Sequence, residues 1–263
     1  MANEDLYGWA VTERYALSYT EVCEQAVKED KVFQVFKRIP AYNAILEHVS
    51  YDLGKKYLDN VRDNNPSLLD SLDTFVRRND FLGSPKKAQY PEYSSLSMSP
   101  TTARYTKVLS DLELIFGSLD GLNIVEIGGG YGGLATVINT KYKPNCYYDV
   151  DLPQACKLFK KYCIANNITN IKTVPPSKVQ DTFANLEVDL VISNYALSEC
   201  DIPTQESYCE DILDSSKRGY VTYNSSKEKA MHMMDRLKDY NNFMVRETDL
   251  CHKGHPIMVW GSK

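Results

Sequence analysis

Apolar positions follow two rhythms along this chain, and the change falls near residue 120. Before it, spacings of three and four dominate. Val32, Phe33, Val35 and Phe36 form one cluster, and Tyr42, Ile45, Leu46 and Val49 form another after a break at Pro40. The stretch 51–61 continues the pattern until Asn64-Asn65-Pro66, and Leu68, Leu69, Leu72 and Phe75 make a further stripe. This spacing predicts helices, with the Pro and Asn clusters as stops. Residues 81–100 lose all periodicity and gather Gly, Ser and Pro, which predicts a long, lid-like loop. Ser99 and Pro100 then open a helix, serine as N-cap and proline in the first turn. Its apolar side carries Tyr105, Val108, Leu109, Leu112, Ile115 and Phe116.

After residue 121, short apolar runs alternate with amphipathic stretches. Strands are expected at Ile124 to Ile127 and at 146–151, 171–174, 188–193, 219–224, 243–247 and 256–260. Helices are expected after Gly133 and at 153–166, 203–216 and 227–240. Strand-helix alternation predicts a mostly parallel α/β sheet, doubly wound, with helices on both faces. The short loop between the last two runs predicts an antiparallel pair at one edge. The expected division is a helical cap with its loop over residues 1–100, and an α/β core over 101–263.

An apolar share of 43% allows a sizeable core. The net charge of −5 and the lack of a long basic run argue against nucleic acid as partner. Seven cysteines without a Cys-x-x-Cys pair fit a reducing compartment, and no zinc-type spacing joins them to the four histidines. The start Met1-Ala-Asn-Glu-Asp is unlike a signal peptide, and no run is apolar enough to span a bilayer. The expectation is a soluble, cytoplasmic protein. Nineteen tyrosines suit both packing and the recognition of polar ligands.

The change of rhythm is marked by Leu122-Asn-Ile-Val-Glu-Ile-Gly-Gly-Gly-Tyr-Gly-Gly133. A strand ending in a glycine-rich turn before a helix predicts a nucleotide-like ligand. Gly128, Gly130 and Gly133 fit the dinucleotide spacing; Glu126 with Gly128, Gly130 and Gly132 fits the Glu-x-Gly-x-Gly-x-Gly spacing of S-adenosylmethionine (SAM) enzymes. Glu126 favours SAM, because a carboxylate there suits a cationic amino-acid end better than anionic phosphates. No separate substrate domain is expected beyond the seventh strand, which points the same way. Asp151, at the end of the second strand, suits a ribose in either case.

Together with Asp151-Leu-Pro153, Asp189-Leu-Val-Ile-Ser-Asn-Tyr-Ala-Leu-Ser-Glu199, Ser99-Pro-Thr-Thr102 and Trp260-Gly261, this stretch resembles the family of sugar O-methyltransferases. The resemblance runs from about residue 40 to the end. It implies a class I SAM-dependent methyltransferase core, Rossmann-like and seven-stranded, with an N-terminal helical addition, and methyl transfer to a sugar hydroxyl. Its strings place Tyr131, Leu152 and Thr101 in the cofactor site beside Glu126, Gly128, Gly130, Gly132 and Asp151.

A sugar hydroxyl is a poor nucleophile until a base shares its proton. Glu199 is the expected base. Asn194 and Tyr195 follow the fourth strand directly, and the spacing of Tyr195 and Glu199 aims both at one point if that turn is helical. Asn194 is also expected at the cofactor. Asp201 before Pro203 is a rival base or an N-cap. His255, and less so His252, precede the last strand as further bases. Arg104 suits the SAM carboxylate, and Ser177 and Lys178 follow the third strand where adenine is expected. Asp80, Tyr90 and Asn224 are expected at the acceptor. Asp149 reads as structural. A divalent ion held by Glu199 and Asp201 is the alternative to metal-free catalysis, which is favoured because no paired-acid motif is evident. The expected partner is a sugar or glycan, in a nucleotide sugar or at the end of a glycan, with glycosyltransferases as associates. Other readings are a methyltransferase of another hydroxyl-bearing natural product, a non-catalytic SAM-binding module and a nicotinamide-dependent enzyme.

Overall fold

The computed structural model describes residues 17–223, 227–246 and 256–262. Two compact units emerge. One takes the chain up to Leu114 with Gly130–Tyr142 and Gln154–Thr169; the other takes Ile115–Gly129, Lys143–Pro153 and the chain from Asn170 onward.

The first unit is helical: α1 (Tyr19–Lys28), α2 (Asp30–Phe33), α3 (Pro40–Leu46), α4 (Tyr51–Asn64), α5 (Leu72–Asn79), α6 (Pro100–Phe116), α7 (Gly133–Lys141) and α8 (Pro153–Ala165). Three of these helices, α1, α4 and α6, begin at a serine whose side chain satisfies one of the first free N–H groups. Ser18 and Glu21 form a capping box on α1, and Ser50 Oγ accepts from Leu53 N at 3.2 Å on α4. Ser99 caps α6 as expected, accepting from Thr102 N at 3.1 Å. The centre is aromatic: Phe36 meets Tyr42, Tyr131 and Tyr162 edge-on, and Tyr131 meets Tyr162 at 4.8 Å between centroids. Ile45, expected in that interior, is 51% exposed instead, while Tyr42 on the same helix is wholly buried. The segment between α5 and α6 is fastened along its length. Ala88 and Met98 exchange backbone hydrogen bonds, Tyr90 stacks on Tyr51 at 4.9 Å, and Ser94 Oγ donates to Asp73.

The second unit holds a seven-stranded, mostly parallel, Rossmann-like sheet, as the alternation predicted. Its strands are β1 (Asn123–Ile127), β2 (Cys146–Val150), β3 (Ile171–Val174), β4 (Leu190–Asn194), β5 (Gly219–Thr222), β6 (Met244–Arg246) and β7 (Ile257–Trp260), in the order β3-β2-β1-β4-β5-β7-β6. β7 runs antiparallel to both neighbours. Between the strands come α9 (Val179–Phe183), α10 (Ala196–Glu199), α11 (Ile202–Tyr208), a π-helical turn Cys209–Leu213 and α12 (Lys227–Leu237). One face of the sheet presents Val125, Ile127, Tyr148, Val150, Val191 and Val221 to a core with Phe183, Ile212 and Leu237. By strand alternation, Glu126, Tyr147 and Asp149 occupy the opposite face. At one edge of the pairing, Trp260 lies against Gly219, where any side chain on residue 219 would overlap its indole.

Candidate functional site

Parallel strands of an open α/β sheet end together, and ligands bind beyond those ends. In the sheet unit β1, β2 and β4 are adjacent, so Gly128, Asp151 and Asn194 leave the sheet side by side. Gly128 has φ +81, and a Cβ there would overlap the Cβ of Ala196. Only glycine takes this conformation without strain and leaves that space. Asp149 then fixes the turn, its Oδ1 accepting from Gly129 N at 3.2 Å. Glu126 is buried and its Oε2 accepts from the Tyr147 hydroxyl at 2.7 Å across β1 and β2. Asp151 Oδ1 accepts from Leu152 N at 2.7 Å, and the Leu152 side chain is exposed.

The exit from β4 is strained. Tyr195 has φ +76, a region that a residue with a Cβ rarely occupies. Several bonds hold it there: Tyr195 N donates to Thr222 O at 2.9 Å, Ser198 Oγ to Tyr195 O, and Leu197 N to Ser193 Oγ at 3.1 Å. Backbone strain of this kind clusters at functional sites. Asn194, the last residue of β4, accepts from Thr222 Oγ1 at 3.4 Å, while its buried Nδ2 has no hydrogen-bond partner among the described residues. Tyr195 precedes α10 rather than belonging to it, so the helical spacing that would aim Tyr195 and Glu199 at one point does not apply. Glu199 ends α10 and is exposed.

Acid gathers at this rim. The half-buried Cys200 thiol is pushed up by burial first, then by the carboxylates of Asp201, Glu199 and Asp151. Asp201 caps α11, its Oδ1 accepting from Thr204 N at 3.0 Å, and Ser177 sits exposed in a 3₁₀ turn after β3. Among the described residues no cluster of three or more His, Cys, Asp or Glu is placed to hold a metal ion. Asn224, His252 and His255 lie outside the described residues.

Other expected site residues fall in the helical unit. Gly130 and Gly132 have φ +60 and +91, and a Cβ would meet Leu46 at 2.6 Å in one case and Cys163 at 2.8 Å in the other. Tyr131 is wholly buried, its hydroxyl accepting from Asn79 Nδ2 at 3.2 Å. Thr101 Oγ1 donates to Leu46 O at 3.4 Å, and the Arg104 guanidinium lies 5.4 Å from the Tyr105 ring centre. Asp80 is committed to structure: it accepts from Ser99 N at 2.6 Å, Ser99 Oγ at 2.8 Å and Thr102 Oγ1 at 2.7 Å. Tyr90 is buried too, its hydroxyl donating to Tyr51 O at 3.2 Å and pushed up to about 12 by burial, then by Tyr51 and Asp52.

Sequence reasoning missed Tyr147 as the partner of Glu126, and it missed Lys37 and Glu47. Lys37 has no exposed surface; its Nζ donates to Asn79 O at 2.7 Å and the Tyr162 hydroxyl at 3.0 Å, 4.0 Å from the Tyr131 ring centre. Burial pulls it down to about 8, against the carboxylates of Glu47 and Asp80. Nothing in the string Phe36-Lys37-Arg38 separates this lysine from a surface one.

A scan against protein-family models finds no match, and a search of curated proteins finds none. Solved structures do resemble the chain. A candidate RNA methyltransferase from Pyrococcus horikoshii is 13% identical, with 74% of this chain and 94% of that one covered and a TM-score of 0.46. A candidate methyltransferase from Streptococcus mutans, in complex with SAH, is 14% identical over 58% and 94%, with a TM-score of 0.45. An rRNA methylase from Streptococcus thermophilus is 16% identical over 54% and 86%, with a TM-score of 0.42. Likeness at this level assigns neither family nor substrate to this chain.

Proposed function

We propose that this protein is a SAM-dependent O-methyltransferase whose acceptor is a sugar hydroxyl. The observation that carries the reading is the row of strand ends in the sheet unit: a left-handed glycine turn after β1, Asp151 after β2, and Asn194 after β4 with an unpartnered amide nitrogen. That orphaned donor fits a ligand with acceptor groups at this edge. Asp151 suits a ribose diol, and Glu126 suits the ammonium of an amino acid more than a pyrophosphate. When bound, SAM supplies an electrophilic methyl group. Glu199 is the base that takes the proton of the acceptor hydroxyl, and its exposed position leaves it open to an incoming substrate. The strained Tyr195 and its neighbour Asn194 position the reactants. The sugar itself rests on the resemblance of the motifs in both halves of the chain.

Replacing Glu199 by Gln should lower turnover by about 10²–10⁴-fold, read as S-adenosylhomocysteine release with a glycoside panel. SAM affinity and melting temperature should be unchanged. Full turnover in the variant removes Glu199 from the base role. Calorimetry with SAM and NAD in parallel tests the cofactor: heat with NAD alone sinks the reading.

A further inference from the structure

The helical unit has a cleft of about 280 Å³ whose lining includes Glu47, His48, Tyr51, Lys86 and Lys87. Glu47 is 8% exposed, and its Oε1 has no hydrogen-bond partner among the described residues. A carboxylate oxygen taken out of water without a donor is expensive to keep, and a turn of the Glu47 side chain brings the carboxylate to a ligand hydroxyl in the cleft that it lines. Burial raises the Glu47 pKa; Lys37 opposes the rise, Asp80 adds to it, and the Thr101 and Tyr131 hydroxyls oppose it. Lys86 and Lys87 are exposed, and neither is held in an ion pair among the described residues. Tyr51 stacks on Tyr90 with nearly parallel rings and is still 46% exposed, which offers a flat apolar surface to a ring. An acceptor, two cations and an aromatic plane lining one cleft are complementary to a polyol with an anionic end.

We propose that this cleft binds a sugar that carries a phosphate group, with Lys86 and Lys87 at the phosphate, Glu47 accepting from a hydroxyl and Tyr51 against the ring. Small-molecule sites span about 300–1,000 Å³. This cleft is at their lower limit, so it takes a hexose and its first phosphate and leaves any nucleoside beyond the lysines. Binding here stands apart from methyl transfer; only the identification of the bound sugar as methyl acceptor rests on the transferase reading.

The test is calorimetry on the full chain without SAM. The titrants are the 1-phosphates of glucose, galactose and mannose, UDP-glucose, free glucose and inorganic phosphate. At least one phosphate-bearing sugar should bind ten times more tightly than glucose or phosphate alone. Tighter binding of UDP-glucose than of the monophosphates identifies a nucleotide sugar as the source; the reverse order identifies a phosphomonoester. Replacing Lys86 and Lys87 together by Ala should weaken that binding at least tenfold, with the melting temperature unchanged. Glu47→Gln should weaken the sugar phosphate but not inorganic phosphate. Silence of every phosphate-bearing sugar to millimolar concentration overturns the proposal. So does phosphate binding as tightly as the sugars, or a double variant that binds normally. A separate SAM titration keeps the two readings apart: SAM heat with silent sugars sinks the cleft alone, and the converse sinks the cofactor alone.

Discussion

Lys37 and Asp80 in the helical unit have almost no contact with water, and every bond found for them runs to a neighbour in that unit. Asp151, Glu199 and Asp201 in the sheet unit reach the solvent, and together they hold the Cys200 thiol up once burial has raised it. The first set has the chemistry of an architectural device. Buried charge is tolerated only when partnered, so it fixes which helices meet and in what register. The second set places like charges near one another beyond the ends of the parallel strands, with Glu199 exposed and Asp201 also capping α11. Chemical type alone does not separate the two: each contains an aspartate that the sequence marks as a candidate for binding.

The contrast breaks if architecture and chemistry answer to the same substitutions. The largest effect is expected at Asp80. Its replacement by Ala strands Ser99 N and two hydroxyls in the interior and removes a counter-charge from Lys37. That should cost about 3–5 kcal/mol, read from the urea midpoint. A loss within error would move Asp80 out of the architectural set.

Next comes a pH effect at Lys37. With a folded value of about 8, the folded chain above that pH has released a proton that the unfolded chain still holds. Stability therefore rises with pH above about 8. Tyr131 and Tyr162 act in the opposite sense, since burial keeps them protonated well above the ordinary tyrosine value. Stability should turn down beyond about pH 10, where tyrosines of the unfolded chain ionise. At ~1.4 kcal/mol per pKa unit the gain from pH 8 to 10 is about 2–3 kcal/mol. Urea titrations of wild type and Lys37→Met check it; the same rise in both assigns it elsewhere. The smallest effect sharpens the other side. Asp151→Ala should weaken SAM binding by about ten- to hundredfold by calorimetry, with no change in the urea midpoint. Wild-type SAM affinity removes Asp151 from the ribose role.

Much of the sheet was legible because burial dictates it. β3 falls at 171–174 as read from apolar content and the following prolines, and the antiparallel final pair followed from loop length. The β4 prediction was two residues early at its start because Val188 is buried and apolar without joining the ladder. The glycine turn was legible as a turn. Its three positive φ values are observed, yet two of the vacated Cβ positions face Leu46 and Cys163, close approaches of the chain to itself. Side-chain commitments were not legible. Asp80 and Ser99 are nineteen residues apart, and Lys37 and Tyr162 are 125 apart; no local pattern encodes such pairs. Nothing in the string Leu46-Glu47-His48 marks the acid as buried. The strain at Tyr195 was equally silent, since a tyrosine after a strand carries no sign of a left-handed backbone.

The place of β7 between β5 and β6 has a consequence for the order of assembly. As the chain leaves the ribosome, β5 can join β4 at once, but its outer edge, Gly219–Thr222, has no strand to receive until residues 257–260 arrive. β6 is synthesised earlier than β7 and has no ladder to join meanwhile. Sheet closure is therefore a late, non-local event, and such events are slow. In that interval an apolar strand edge is open to pairing with another chain. The Trp260 ring that seats over Gly219 acts as the latch of this final step.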